Sequence, residues 1–411
     1  MGRKVVITGI GLISPLGESA EGVFAALCNG KSAVRYQEDS NPTCAVGCHL
    51  AARLIDFKAE KYLPGRPLRP LDRISQMAAA SCSLALQNSK SNYTNPARVE
   101  FPLVLGTMFG GMHTIGDFDR AALLSGPASV SPMAFANTVI NAAAGQTAIW
   151  HKLRGSNTTV ATGSTSGVSA VGHALELIQR EKVAVVLAGG ADECSFESFL
   201  GFSRAGLLCT NSSQPEMPIP FDDRRNGFAL GEGAVILVLE DLDHASKRGA
   251  VPLAELRGYA AAFDVSQGKN PSQTVSALAR SMRMAIHRSG LALDDIGFVS
   301  ASANGSVLQD CCELSALCGV FGDRAERLPV TAIKCGTGET LGASGALQIT
   351  VAIQTLKTQE LPGIIGLEKL PPGCRMRGIL PTTRRIKAHT GLINGVGMDG
   401  NCCSLVIVGL D

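Results

Sequence analysis

TTVATGSTSG, residues Thr158–Gly167, joins a β-branched run to a string of small residues. The run Thr158–Thr162 reads as a strand, because branched side chains suit a pleated surface. Gly163, Ser164 and Thr165 are small enough for a tight turn, and the Ala-rich amphipathic stretch Ser166–Arg180 reads as a helix. A strand that enters a helix through so short a turn is a local unit of α/β layers.

The same alternation runs outward in both directions. Strands are expected at Lys4–Thr8, Pro102–Gly106, Val183–Ala188, Ala234–Glu240, Pro252–Gly258, Ile296–Ala301, Leu328–Ile333, Thr390–Asn394 and Cys403–Val408. Helices are expected at Gly22–Cys28, Ser75–Asn88, Ala142–Lys152, Ser276–Ser289, Cys311–Phe321 and Gly345–Thr358. Alternation at these lengths predicts an α/β protein with mostly parallel, buried strands. The pattern makes two passes, each ending in two apolar strands close together. The charged stretch Asp241–Val251 is the expected junction, dividing the chain into residues 1–250 and 251–411. No Gly-, Ser- or Pro-rich linker separates the halves, so they are expected to pack tightly.

Composition narrows the function classes. The 411 residues are 45% hydrophobic and 18% charged, which excludes a disordered chain. A net charge of +2 gives no global attraction for nucleic acid or an anionic membrane, though a local basic patch could meet an acidic protein. The opening MGRKVVITGIGLISPLG is broken by Thr8, Gly9 and Gly11 and reads as a strand and turn, not a signal peptide. Val6 stands where a myristoylation motif on Gly2 wants Ser or Thr. No apolar stretch approaches a membrane span, so a cytoplasmic location is expected. Thirteen cysteines, an odd number with two adjacent pairs, do not fit a disulfide framework. Cys44, Cys48 and His49 lack a second matching pair, so no metal site is expected there, and most cysteines should pack as small hydrophobes.

Several motifs converge on one family. They include GTMFGGM at Gly106–Met112, SPMAFANTVINAAAG at Ser131–Gly145, PFDDRRNGFALGEGAVILVLE at Pro220–Glu240, IKCGTGETLGASGALQ from Ile333, and NGVGMDGNCCSLVIV near the end. Together these resemble the elongating β-ketoacyl-ACP synthases over nearly the whole chain. The resemblance implies a thiolase-like, duplicated, five-layered α-β-α-β-α fold and no cofactor. In that family a cysteine at the strand-to-helix turn is the nucleophile, activated by the helix N-terminus, and two histidines bind the malonyl thioester carbonyl.

At the matching positions this chain carries Ser164 for the cysteine, and Ser302 and Glu339 for the histidines. Supporting positions match: Lys334 the family lysine, Glu313 the family acid, Phe228 the aromatic beside the nucleophile. In the final loop Met398 replaces the gating phenylalanine and Asp399 breaks a glycine pair. A serine hydroxyl needs an adjacent base, and the family's bases are the two missing histidines. The seven histidines present match none of the catalytic positions. The plain reading of Ser164 is a small helix-start residue, of Ser302 a small filler, and of Glu339 a partner for Lys334 or backbone donors. Asp310 reads as a turn or cap residue, and Arg224 and Arg225 as members of a structural salt bridge.

The resemblance therefore implies a subunit without condensing chemistry. Chain-length factors of type II polyketide and aryl-polyene systems pair with an active ketosynthase, with which they handle acyl carrier protein substrates, and shape the acyl tunnel. Phe109, Met112, Met133 and Phe135 fall in the family's tunnel and interface segments, and their plain reading is core packing. Arg53, Lys58, Lys61, Arg66 and Arg69 form a candidate patch for an acidic carrier protein. A Ser164-dependent acyltransferase or esterase, and a homodimeric acyl-binding protein, are the alternatives.

Overall fold

The computed structural model describes residues 2–37, 48, 50–90, 100–210 and 217–410. Ten strands form its main sheet: β1 Val5–Ile13, β2 Leu103–Gly106, β3 Asn157–Val160, β4 Val185–Asp192, β5 Gly233–Asp241, β6 Ala254–Phe263, β7 Phe298–Ser300, β8 Val330–Thr331, β9 Thr390–Val396 and β10 Asn401–Val408. The spatial order is β8-β7-β9-β10-β6-β1-β5-β4-β2-β3. Numbered within its own half, each set of five repeats the order 3-2-4-5-1 outward to inward, so the duplication is written in the topology. The halves meet where β1 runs antiparallel to β6, with Val5, Val6 and Ile7 opposite Leu256, Glu255 and Ala254.

Helices of nine residues or more are α1 Ala20–Cys28, α2 Arg73–Asn88, α3 Met112–Ser125, α4 Ala142–His151, α5 Ser166–Gln179, α6 Phe196–Arg204, α7 Pro271–Ser289, α8 Val307–Phe321 and α9 Ser344–Thr358. α5 and α9 pack against each other between the two half-sheets. α2 and α4 cover the outer face of the first half, and α7 with α8 that of the second. The result is the five-layered α-β-α-β-α arrangement of a thiolase-like fold. The sandwiched position explains two sequence features. β1 and β5 are apolar nearly throughout because they are covered on both faces, and every residue of each is buried. α9 has no solvent-facing side: all residues from Ser344 to Leu356 are buried. Close approach in the middle layer requires small residues. A Cβ on Gly167 would overlap the Gly342 carbonyl oxygen.

Three expectations are corrected. The strands are not mostly parallel: β9-β10, β10-β6, β6-β1, β1-β5 and β5-β4 are antiparallel, and only the four outer pairings are parallel. β9 and β10 are joined by Gly397–Gly400, a connection too short to permit a parallel crossover. The strand expected over Leu328–Ile333 shrinks to Val330–Thr331, because the chain turns into the site at Ile333. α3 was not anticipated from periodicity, and it buries none of its residues, so it carries no core-facing apolar stripe.

No helix among the described residues is long and apolar enough to cross a membrane. Cys44 and His49 lie outside the described residues, and Cys48 is buried.

Candidate functional site

Four segments converge at the ends of the middle helices: the turn before α5, the loop after β7, the stretch before α9, and the β9–β10 turn. Ser164 sits in the single 3₁₀ turn Gly163–Thr165 ahead of α5 and is buried. Gly163 has φ +60°, and a Cβ there would come within 2.7 Å of Asp399 Oδ2, so the turn has room only for glycine. The hydroxyl of Ser166 holds the turn closed: it accepts from Thr162 N–H at 2.9 Å and lies 2.6 Å from the Gly163 carbonyl oxygen.

Ser164 Oγ donates to the carbonyl oxygen of Val396 at 3.4 Å. The N–H of the same Val396 donates to Ser302 Oγ at 2.9 Å. One residue of β9 thus ties together Ser164 and Ser302, the positions that the sequence resemblance assigns to the nucleophile and the first histidine. No basic side chain reaches Ser164 among the described residues, and His173, further along α5, points outward and is exposed.

Glu339 is 1% exposed and its carboxylate is fully engaged. Oε2 accepts from Lys334 Nζ at 2.7 Å and Asn304 Nδ2 at 2.9 Å. Oε1 accepts from Ser344 Oγ at 2.6 Å and Leu341 N–H at 3.1 Å. Lys334, itself 3% exposed, also reaches Ser302 Oγ at 3.4 Å. An ion pair withdrawn from water holds together when hydrogen bonds satisfy what remains of each partner, as here. As a carboxylate whose two oxygens both accept, Glu339 offers no hydrogen-bond donor at this position.

Glu313 stands behind this layer on α8. Its Oε1 accepts from Ser302 N–H and from Asn394 Nδ2, each at 3.0 Å, while Oε2 is buried without a partner among the described residues. Burial pushes its carboxyl up to about 7, against the opposing pull of those two hydrogen bonds. Asp310, one turn earlier, does more than cap. It accepts from Asn304 N–H, Gly305 N–H and Phe221 N–H, at 3.1, 3.2 and 2.9 Å, and so fastens the loop after β7 to the PFDDRRNGF segment. Arg225 Nε lies 3.8 Å from Asp310, and Arg224 pairs with Asp222 at 2.8 Å, both within the fold.

The aromatic wall holds a residue that sequence reading overlooked. Phe228 is fully buried, and Phe202 of α6 meets its ring edge-on at 5.3 Å between centroids. Phe109 meets the other side of Phe202 at 5.7 Å. Phe202 therefore links two positions that the motifs single out 119 residues apart; no local signal marks it, because both contacts are long-range. Asp192 fixes this wall: its carboxylate accepts from Thr107 Oγ1, Met108 N–H and Gly342 N–H, each at 2.7 Å, and burial pushes it up to about 6. Met398 packs on the same cluster. Asn304 and Ser344, the other unanticipated members, lie within the motifs that carry Ser302 and Glu339. Asp399 bonds within its own turn, accepting from Asn401 Nδ2 at 2.8 Å.

Met133 and Phe135 do not join the wall. They are 52% and 59% exposed, which corrects the core-packing reading. Phe135 meets Phe118 of α3 at a tilt, with centroids 6.0 Å apart, and Met112 begins α3, partly covered. Leu123, Leu124, Val139, Ile140 and Ile149 are exposed in neighbouring segments. Of these segments α4, which carries Ile149, packs on β3, an edge strand of the sheet with no fully buried residue. Of the basic candidates, Arg53 donates to the Cys194 carbonyl oxygen at 3.0 Å, Lys61 pairs with Glu18 at 2.7 Å, and Arg66 lies over the Trp150 ring, while Lys58 and Arg69 are exposed.

Comparison with known proteins agrees with this geometry. Residues 2–245 match the model of the β-ketoacyl synthase N-terminal domain, and residues 253–368 that of the C-terminal domain. A 3-oxoacyl-(acyl-carrier-protein) synthase 2 of Coxiella burnetii is 32% identical over 98% of both chains. Among solved structures, one described as the ishigamide ketosynthase/chain length factor superposes with TM-score 0.92 at 28% identity, covering all of both chains. A β-ketoacyl synthase from Burkholderia phymatum STM815 gives TM-score 0.92 at 29% identity over the same extent. With both domain models matched in order along a duplicated fold of this kind, the chain belongs to the β-ketoacyl synthase family.

Proposed function

We propose that this chain is a non-catalytic ketosynthase-like subunit, a chain-length factor. It pairs with an active ketosynthase and shapes the acyl tunnel in type II polyketide or aryl-polyene synthesis. The observation that carries this reading is the buried Lys334–Glu339 pair. A fixed anion occupies the position where the family's histidine would stabilise the charge that develops on malonyl decarboxylation. Removing one oxyanion donor typically lowers a rate by about 10²–10³; here both imidazoles and the thiol are replaced. Ser164 has a carbonyl oxygen as its neighbour and no base, which weighs against a serine acyltransferase.

The exposed apolar residues around β3 and α3 support pairing with a second subunit, because such a surface is costly in water. Phe109, Met112, Met133 and Phe135 are the side chains through which this subunit would set tunnel length, and Met398 and Asp399 replace the usual gate. An acyl carrier protein would dock near Lys58 and Arg69. The sequence relatives are named as synthases; the ishigamide protein's name includes chain length factor, which favours the present reading.

Coexpression with a cysteine-bearing paralogue is the test. The two chains should copurify one to one, and mass spectrometry after incubation with acyl carrier substrates should find the acyl adduct on the paralogue alone. An adduct on Ser164, or primer extension by this chain purified by itself, would sink the proposal.

A further inference from the structure

Residues 369–398 contain Lys369, four arginines and Lys387, and no aspartate or glutamate. Across the whole chain 37 basic residues face 35 acidic ones, so this imbalance is local. Folding concentrates it further, around Gly378. The Gly378 carbonyl oxygen accepts from Val330 N–H at 3.2 Å and from the Arg384 guanidinium at 2.9 Å. A Cβ on Gly378 would overlap the Leu328 carbonyl oxygen, which brings Arg327 alongside. Arg384 and Arg385 form a short strand antiparallel to Glu360–Leu361, opposite Leu361 and Glu360 respectively. Arg327, Arg375, Arg377, Arg384, Arg385 and Lys387 thus share one region of the second half.

The charges there are poorly compensated. Among the described residues only Arg377 of these six makes an ion pair, with Glu326 at 3.1 Å. Glu360 faces Arg385 in register, yet the two side chains form no pair. Arg384 is half-buried with no carboxylate beside it, and burial draws its guanidinium below the usual value. Several other partly buried arginines are paired with carboxylates: Arg73 with Glu232, Arg224 with Asp222, Arg248 with Glu240. The face is also without apolar anchors. No large apolar side chain is exposed between Leu308 and Leu410 among the described residues.

We propose that this face docks a carboxylate-rich surface of an acidic protein. Guanidinium forks match carboxylates in bidentate geometry, and Arg384 gains the counter-charge it lacks. Carboxylates at the rim (Glu326, Glu360, Glu368) would oppose an extended polyphosphate backbone but leave room for a compact acidic patch. The absence of exposed apolar side chains disfavours insertion into a lipid surface. The contact is electrostatic, fast to form and sensitive to salt. It lies on a different segment from the candidate carrier patch at residues 53–69, and it stands whether or not the chain is a chain-length factor.

The probe is a fluorescein-labelled poly-glutamate peptide, and the readout is anisotropy with the full chain, or with its copurified complex. Saturable binding is expected at about 50 mM sodium chloride, weakening at least tenfold by about 300 mM. Arg375→Glu/Arg385→Glu/Lys387→Glu should abolish it, and the milder triple glutamine variant should weaken it about tenfold. A control with the same charge change elsewhere, Arg180→Glu/Arg204→Glu/Lys247→Glu, should bind as the parent does. Equal loss in both charge-reversal triples, or no binding of the peptide while duplex DNA or phosphatidylserine vesicles bind at the same salt, overturns the proposal. All substituted side chains are exposed, and thermal melts will show whether each variant is folded.

Discussion

Glu339 receives four hydrogen bonds in a place closed to water, and its worth is therefore mutual with Lys334. Glu339→Ala leaves a buried ammonium unpaired and should cost about 3–5 kcal/mol in urea unfolding. Lys334→Met/Glu339→Leu, which removes both charges and keeps the volume, should cost clearly less; equal losses would show that the pair is not the unit of stability. Ser164 makes a different prediction. Ser164→Cys supplies a thiol at the right turn but restores neither imidazole. Purified Ser164→Cys chain should therefore extend no acyl primer with malonyl units, as followed by product mass spectrometry. Measurable extension would mean that Ser302 and Glu339 are not what silences the site.

At the scale of elements, the contrast lies between α5 and α3. α5 buries most of its length, from Ser166 to Ile178 with His173 left outside, and carries the serine turn; α3 buries no residue fully. The first is fixed by this chain; under the proposed function the second is what a paired ketosynthase would cover. Met133→Asp/Phe135→Asp should lower recovery of the cysteine-bearing paralogue in a pull-down by at least tenfold, since charges in the core of an interface are strongly unfavourable. The melting temperature of the isolated chain should shift by no more than about 2 °C, because both side chains are exposed. A large destabilisation would instead place them in the core. Phe202, buried between Phe109 and Phe228, gives the opposite signature: Phe202→Ala should cost about 3–5 kcal/mol even in the isolated chain.

The whole molecule carries buried carboxylates in both halves. In the response to pH they outnumber His151, whose imidazole is held below its usual value by burial and which acts in the opposite sense. Burial pushes Asp192 and Asp310 up to about 6, and Glu193 and Glu313 up to about 7. Each is above its unfolded value, so the folded chain holds more protons between about pH 4.5 and 7, and stability falls as pH rises through that window. Asp222, Asp264 and Glu240 are held below the usual carboxylate range by their hydrogen-bond and ion-pair partners, despite opposing burial. Their contribution is in place above about pH 5 and is lost only at lower pH. The free energy of unfolding should therefore peak near pH 5 and decline toward 7, and Glu313→Gln should flatten the decline. A rise from pH 5 to 7 in denaturant titrations would contradict this.

Much of this molecule could be read without coordinates, because its information is local. The β-branched runs, the Ala-rich middle helices and the small residues around Ser164 each reflect a near neighbour or a covered face. The identity of residues 164, 302 and 339 decided that no thiol or imidazole pair is present, since chemistry of that kind belongs to the side chain itself. What the chain could not disclose were pairings across long separations. Antiparallel joining of the two halves at β1 and β6, the bridge through Val396 between Ser164 and Ser302, the saturation of Glu339 by Asn304 and Ser344, and the seat of Phe202 between two distant aromatics all arise when remote segments meet. Only folding determines which donor finds which acceptor, because a buried polar group takes its partner from whatever the packing brings within about 3 Å.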